Sequence, residues 1–348
     1  MTDRIFIIIL LLSGTALCPA ADGELGNEAT VTAERVHNRI GLIGGRMVAD
    51  MAKYGYFETA LAALWTHQDI TFRNLGWPAD DVFGTARSEF GSGRNTKSWQ
   101  PPNAEQGFGY ETLLGQVNDA KPTTLFVAYG RETAFYKSPE EFEAFKRGYI
   151  TLLKDLGKVA TTLILVSPPL LEDAGRSLPD PGESNKRLQQ TATFIKGLAE
   201  KGGHRLINLT EHLIPAGAKK NLTFNGQQFN QHGHKQLSQV MLEQMGLAAD
   251  GGYKAEFAAD GTLRASQSAK VEKLVKTKNG FRFDLTPETL PLPGTGVLLI
   301  EGSTASYALK IDGQAAFSWD NGKNPKGVIV VDGRATSQYE RLRQLIIQ

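Results

Sequence analysis

Arg39-Ile40-Gly41-Leu42-Ile43-Gly44-Gly45-Arg46 is an apolar run that stops on two glycines. It reads as a strand over 39–43 that leaves its sheet abruptly. Four later stretches repeat the pattern at Ile70–Leu75, Thr123–Ala128, Thr161–Val166 and Arg205–Leu209. Isoleucine, valine, leucine and phenylalanine dominate them with little polar alternation, as expected of strands covered on both faces in a parallel sheet. The segments between them have helical spacing over Met47–Leu64, Glu183–Lys201 and Gln231–Met245. Another helix starts at Ser138, with Pro139 at its first position and Glu141 three residues after the cap, and runs to Leu156. This βαβα order predicts a three-layer α/β/α sandwich around a five-stranded parallel sheet, with right-handed crossovers.

The chain has 348 residues, more than one core usually needs. The α/β pattern occupies 35–248. After Gly251-Gly252 the pattern becomes β-rich over 252–335, with short strands at Thr295–Glu301, Tyr307–Ile311 and Gly327–Val331 and turn signals at Asp312-Gly313 and Asp332-Gly333. A partial sandwich is expected there. A C-terminal helix is predicted over 336–348, with Leu342, Leu345 and Ile346 as its apolar stripe.

At the other end, Arg4, the apolar run Ile5 to Leu12 and the small residues from Ser13 to Ala21 have the layout of a secretory leader cleaved after Ala20. The run is too short to span a bilayer. The expected location is therefore secreted or periplasmic, the alternative being a retained N-terminal anchor. Cleavage would remove Cys18, the only cysteine, and with it any disulfide or thiol chemistry. The formal net charge of +1 and the lack of a basic stripe exclude a nucleic-acid surface.

Ligands on open α/β sheets sit beyond the carboxyl ends of the strands. Three segments leave strands at that rim: Ile43-Gly44-Gly45-Arg46, Phe72-Arg73-Asn74-Leu75-Gly76-Trp77 and Val127-Ala128-Tyr129-Gly130-Arg131-Glu132. A fourth, Leu222-Thr223-Phe224-Asn225-Gly226-Gln227-Gln228, precedes the last helix of the domain. In order and spacing these four resemble the catalytic blocks of the SGNH (GDSL-type) hydrolase superfamily, with the nearest likeness to secreted members of planctomycete type. Tyr54-Gly55-Tyr56-Phe57-Glu58-Thr59 and Leu178-Pro179-Asp180-Pro181 add to it. The resemblance covers Arg39 to Gly246 and implies a flavodoxin-like sandwich and ester hydrolysis. The β-rich part, at Tyr307 to Gly313, also looks like a module of such members, whose chains continue past the helix at 336–348. A truncated end is thus an expectation.

The resemblance implies a serine at Arg46, an oxyanion-hole glycine at Gly76, an asparagine donor at Glu132 and an Asp-x-x-His pair at Asn225 and Gln228. Only Gly76 matches. Arg46 has no acceptor atom and keeps its charge. Gln228 cannot cycle a proton as histidine does. An ionised Glu132 would repel the charge that an oxyanion hole must stabilise. The implied standard site is therefore disabled. The expected function is binding of a carbohydrate or ester-like ligand, or a structural role. The alternative is an esterase or carbohydrate deacetylase with a non-standard site.

Trp77 and Tyr129 are the candidate ligand contacts, together with the loop Gly84–Gln106 and its Trp99. Arg46 and Glu132 are expected to pair across the former catalytic pocket. His232 and His234 are read as solvent-exposed helix histidines, the alternative being a replacement base. Asp80 and Asp81 are read as caps of a helical turn, the alternative being a nucleophile or ligand. His204 and His212 are isolated histidines. No His, Asp and Glu spacing makes a metal site, and no cofactor is implied. The expected partner is a small molecule or carbohydrate. Nothing in the sequence identifies a protein partner.

Overall fold

The structure is a computed structural model that describes residues 6–11, 39–64, 70–87, 107–175, 178–214, 221–247, 253–277, 280–287, 295–301, 307–311, 314–319, 328–332 and 337–347. Trp99 and most of the Gly84–Gln106 loop lie outside these residues, as do the turn signal Asp312-Gly313 and Gly333 of the second. The first strand, β1 (Phe6–Leu11), belongs to the C-terminal module. The α/β domain follows as β2 (Arg39–Gly44), α1 (Arg46–Tyr54), α2 (Tyr56–Leu64), β3 (Thr71–Asn74), α3 (Phe108–Ala120), β4 (Thr124–Ala128), α4 (Pro139–Leu156), β5 (Thr162–Val166), α5 (Gly182–Gly202), β6 (Arg205–Ile207), α6 (Leu209–His212) and α7 (Gln231–Gln244).

Its sheet has the order β3-β2-β4-β5-β6, and every pairing is parallel. Successive side chains point to opposite faces. Leu42, Phe126, Ile164 and Val166 therefore pack in one layer with Met51, Phe57, Leu61, Leu237 and Met241 from α1, α2 and α7. Ile43, Leu125, Val127 and Leu165 pack in the other with Leu113, Phe145, Tyr149, Leu152 and Ile195 from α3, α4 and α5. Two buried faces on β2, β4 and β5 explain their near-continuous apolar runs, whereas the edge strand β3 alternates between exposed and half-buried residues. The predicted fold class stands.

Three local features differ from the sequence reading. The helix predicted over Met47–Leu64 is broken at Gly55, which ends α1 in the left-handed conformation at φ 61°. That geometry favours glycine. The helix α3 was not predicted, because a polar tract precedes it. A short 3-10 turn over Arg131–Phe135 follows β4. The capping box at Ser138 and Glu141 forms as read.

The module continues as β7 (Lys254–Ala258), β8 (Leu263–Gln267), β9 (Ala269–Thr277), β10 (Gly280–Pro287), β11 (Thr295–Glu301), β12 (Tyr307–Ile311), β13 (Gln314–Trp319) and β14 (Val328–Asp332). Its sheets have the orders β13-β12-β1-β10-β9 and β14-β11-β7-β8. Phe257, Phe281, Phe283, Leu285, Leu298 and Ile300 form a core of their own. The strand β1 runs parallel to both β10 and β12. It is the apolar centre of the sequence read as a leader, and an isoleucine-rich hexapeptide suits either role.

The final helix, α8 (Ser337–Ile347), returns to the α/β domain. Arg343 Nη1 donates to the Tyr54 carbonyl at 2.6 Å, and its guanidinium lies 5.0 Å from the centre of the Tyr56 ring. Tyr339 donates its hydroxyl to the Tyr56 carbonyl at 3.2 Å. The inward face of α8 is thus Tyr339 and Arg343. Leu345, read as part of the buried stripe, is 70% exposed. A side chain on Gly55 would meet Ile347 Cγ2 at 2.4 Å, so the glycine also lets α8 approach.

Candidate functional site

A cavity of about 570 Å³ opens at the carboxyl ends of the parallel strands. The turns after β2, β3, β4 and β5 line it, together with the segment before α7. Arg46, Glu132 and Gln228 all face it. The fold therefore brings these three positions together.

Arg46 opens α1 behind Gly45, which offers no capping side chain. A cation in the first turn opposes the helix dipole. Asp50, one turn along, offsets it: Arg46 Nε donates to Asp50 Oδ2 at 3.3 Å. Gln228 Nε2 donates to the same oxygen at 3.4 Å. Asp50 thus joins the positions of the implied nucleophile and base, a link visible in sequence only as an i, i+4 charge pair. Asn225 does not pair with Gln228 as an acid with a base would. Its Oδ1 accepts from the Gln227 and Gln228 amides and shapes the turn.

Glu132 does not pair with Arg46. Gly130 adopts φ 112°, where a side chain would meet Thr191 Cγ2 at 2.8 Å. The resulting turn brings Glu132 Oε2 back to accept from the Gly130 amide at 3.0 Å. Its Oε1 is shut off from solvent and has no hydrogen-bond partner among the described residues. Burial, reinforced by the Asp81 charge, pushes its pKa from 4.5 up to about 8. The group is therefore mostly a neutral acid at neutral pH, and a neutral acid can donate a hydrogen bond. This corrects the expectation of a repelling carboxylate.

Gly76, Trp77 and Tyr129 are placed differently from their assigned roles. The Gly76 amide donates to Asn74 Oδ1 at 2.9 Å, while Asn74 Nδ2 donates to the Val48 carbonyl at 2.7 Å. That amide is committed to an internal bond. A side chain on Gly76 would meet Ala49 N at 2.4 Å and Val48 C at 2.7 Å, both backbone atoms. Close packing of β3 on α1 is what requires glycine there. Gly76→Ala is expected to destabilise the domain by roughly 3 kcal/mol, as overpacking does. Thermal unfolding checks this, and a variant as stable as the parent would refute the packing role.

Trp77 is 44% exposed outside the cavity, with the Arg87 guanidinium 5.6 Å from its ring centre. Tyr129 is buried, and its hydroxyl donates to Asp80 Oδ2 at 2.8 Å. Neither is presented to a ligand in the cavity. Arg87 Nε donates to the same Asp80 oxygen at 2.8 Å. The remaining guanidinium nitrogens of Arg87 bond Gln116 Oε1 and the Leu75 carbonyl. Asp80 is thus a buried ion-pair partner on the cavity wall. Asp81 accepts from the Phe83 amide and from the Thr85 amide and hydroxyl, a capping role.

Sequence reasoning passed over Arg131, although it lies in a quoted rim segment. Its guanidinium donates to the carbonyls of Pro169 and Gln227 and sits 5.5 Å from the Phe229 ring centre. Among the histidines, His234 is buried rather than solvent-exposed. It stacks on Tyr54 with centroids 4.6 Å apart. Both its ring nitrogens lack partners among the described residues, so no described serine is within its hydrogen-bond reach. Burial holds its pKa down to about 4. His232 lines a separate, shallower cavity with Tyr54, Tyr56 and Phe224. Ser167 lies on the main cavity wall, but Asn208 and Thr210 take its hydroxyl. Among the described residues no group of three or more His, Cys, Asp and Glu could hold a metal ion.

No family model matches the chain, and no curated protein matches it in sequence. Among solved structures it is similar to a gut microbial diltiazem-metabolizing enzyme. The TM-score is 0.66 at 14% identity, over 90% of this chain and 76% of that one. A catalytic mutant of the acetylxylan esterase Axe2 from Geobacillus stearothermophilus matches with TM-score 0.44 and 14% identity, over 61% of this chain and 96% of that one. LAE5, an alpha/beta hydrolase from the metagenome of Lake Arreo, Spain, matches with TM-score 0.41 and 16% identity, over 61% and 96%. The likeness is one of fold. At 90% of the chain, the first match extends beyond the α/β domain.

Proposed function

We propose that this chain is an exported binding protein on an SGNH-hydrolase-like scaffold, without standard ester hydrolysis. One observation carries the reading. Arg46 and Gln228, at the positions implied for nucleophile and base, both hydrogen-bond Asp50 Oδ2. A guanidinium and an amide supply neither a nucleophilic hydroxyl nor a proton shuttle. Loss of a serine or its histidine base costs roughly 10⁶ in kcat in hydrolases of this logic. Between them lies a cavity of about 570 Å³, a size that suits a small ligand. The leader-like N-terminus supports export.

A second reading keeps an active ester hydrolase, because a neutral Glu132 can donate where the family's asparagine would. Among the residues that line the cavity, it lacks a nucleophilic hydroxyl with an adjacent base: Ser167 is bonded to Asn208 and Thr210. Hydrolysis of short acyl-nitrophenyl esters and acetylated sugars by the purified protein, with Arg46→Ala beside it, decides between the two. The expected result is no turnover above buffer for either protein. Turnover abolished by a serine-directed inhibitor would overturn the binding reading.

A further inference from the structure

Buried charges are normally paired, because desolvation of a lone ion is costly. Arg131, half-buried on the cavity wall, departs from this. Two backbone carbonyls and the Phe229 ring hold its guanidinium, and it has no ion-pair partner among the described residues. Burial lowers its pKa to about 10, which leaves it charged at neutral pH. The titratable groups lining the cavity are Arg46, Asp50, Asp80, Arg131 and Glu132. Asp50 offsets Arg46, and Asp80 is paired with Arg87 behind the wall. Glu132 is mostly uncharged near neutrality. Asp81 stands close enough to act on Glu132, but it does not line the cavity. The lining therefore carries one uncompensated positive charge.

Further donors face the same space. The terminal nitrogens of Arg46 have no partner among the described residues, since only its Nε is engaged. Glu132 Oε1 is shut off from solvent, so its acid proton stays inside the wall. We propose that the cavity binds a small organic carboxylate, its anionic head taken by Arg131 and Arg46. Guanidinium forks match the planar carboxylate. Met47, Phe135, Pro168 and Phe229 provide apolar wall for the body of the ligand. The inference rests on the binding reading above and names its ligand class.

The test is calorimetric titration of the full chain with matched probes: benzoate against benzamide, glucuronate against glucose, and inorganic phosphate. At least one carboxylate is expected to bind ten times or more tighter than its neutral partner. Arg46→Ala, an exposed position, should weaken it about tenfold. Affinity should fall severalfold above about pH 8, where Glu132 ionises and adds a negative charge to the cavity lining, and Glu132→Gln should remove that loss. Equal binding of the neutral partners would overturn the carboxylate inference and leave the binding reading intact. Binding of phosphate alone, or of no probe, would also overturn it. A carboxylate bound by a chain that hydrolyses esters would leave the inference standing and sink the non-hydrolytic reading.

Discussion

Asp80→Ala is expected to destabilise the α/β domain by about 3–5 kcal/mol, the usual cost of removing one partner from a buried ion pair. The Asp80 side chain has no exposed surface, and that of Arg87 is 1% exposed. The variant leaves the Arg87 guanidinium buried with Gln116 and the Leu75 carbonyl but no anion. It also strips the Tyr129 hydroxyl of its acceptor. Burial raises the Asp80 pKa despite the attraction of Arg87, so desolvation outweighs the pairing. Two comparisons follow from that balance. Replacing both partners with Asp80→Leu and Arg87→Met should cost less than Asp80→Ala alone. Tyr129→Phe should cost about 1 kcal/mol, the value of one hydrogen bond. Urea unfolding measures all three. An Asp80→Ala midpoint equal to that of the parent would remove the ion pair as a support of the cavity wall.

Glu132→Gln should stabilise the protein, and increasingly so with rising pH. The folded-state pKa of about 8 lies above the ordinary 4.5. Below pH 4.5 the group is protonated in folded and unfolded chains alike, and ionisation costs the fold nothing. Between about 4.5 and 8 only the unfolded chain releases the proton, so parent stability falls by about 1.4 kcal/mol per pH unit. Above pH 8 the folded carboxyl ionises too, and the full cost is reached. Glutamine does not titrate. It can keep the bond from the Gly130 amide and present a donor in place of the acid proton. The gain should be near zero at pH 4.5 and on the order of 3–5 kcal/mol above pH 8. Glu58, pushed up to about 7 by burial, titrates alike in both proteins and cancels in the difference. Unfolding curves at pH 5, 7 and 9 check this. A constant difference across the three would mean that Glu132 is not the buried acid described.

The architecture was legible because a parallel sheet writes its burial into the sequence. Each strand such as Leu125-Phe126-Val127 is covered twice, so apolar runs mark strands and their glycine-rich exits mark the rim. Arg46, Glu132 and Gln228 could be placed on one rim for the same reason. Their contacts were not legible. Arg46 found Asp50 on its own helix instead of Glu132, because an i, i+4 neighbour is always within reach and a partner across the sheet is not. Tyr129 was read as lining the cleft because sequence shows the residue type and not the direction of its side chain. Its hydroxyl serves Asp80 inside the wall. His234 was read as a surface residue, although it stands at a core-facing position of α7 among Tyr54 and Phe229. Gly55 carried its signal openly as a helix-ending glycine, but the apolar spacing on either side masked the break.

The contacts of α8 with Tyr54 and Tyr56 span 289 and 283 positions of sequence. A ribosome adding roughly 5–20 residues per second needs about 15–60 s to cover that stretch. Throughout that interval the α1–α2 surface has emerged without its cover. Completion of the α/β domain therefore waits for the synthesis of α8, and the module between must be made before the first helices are sealed. A nascent chain arrested before 337 would display this surface to chaperones and proteases, and one that has completed α8 would not.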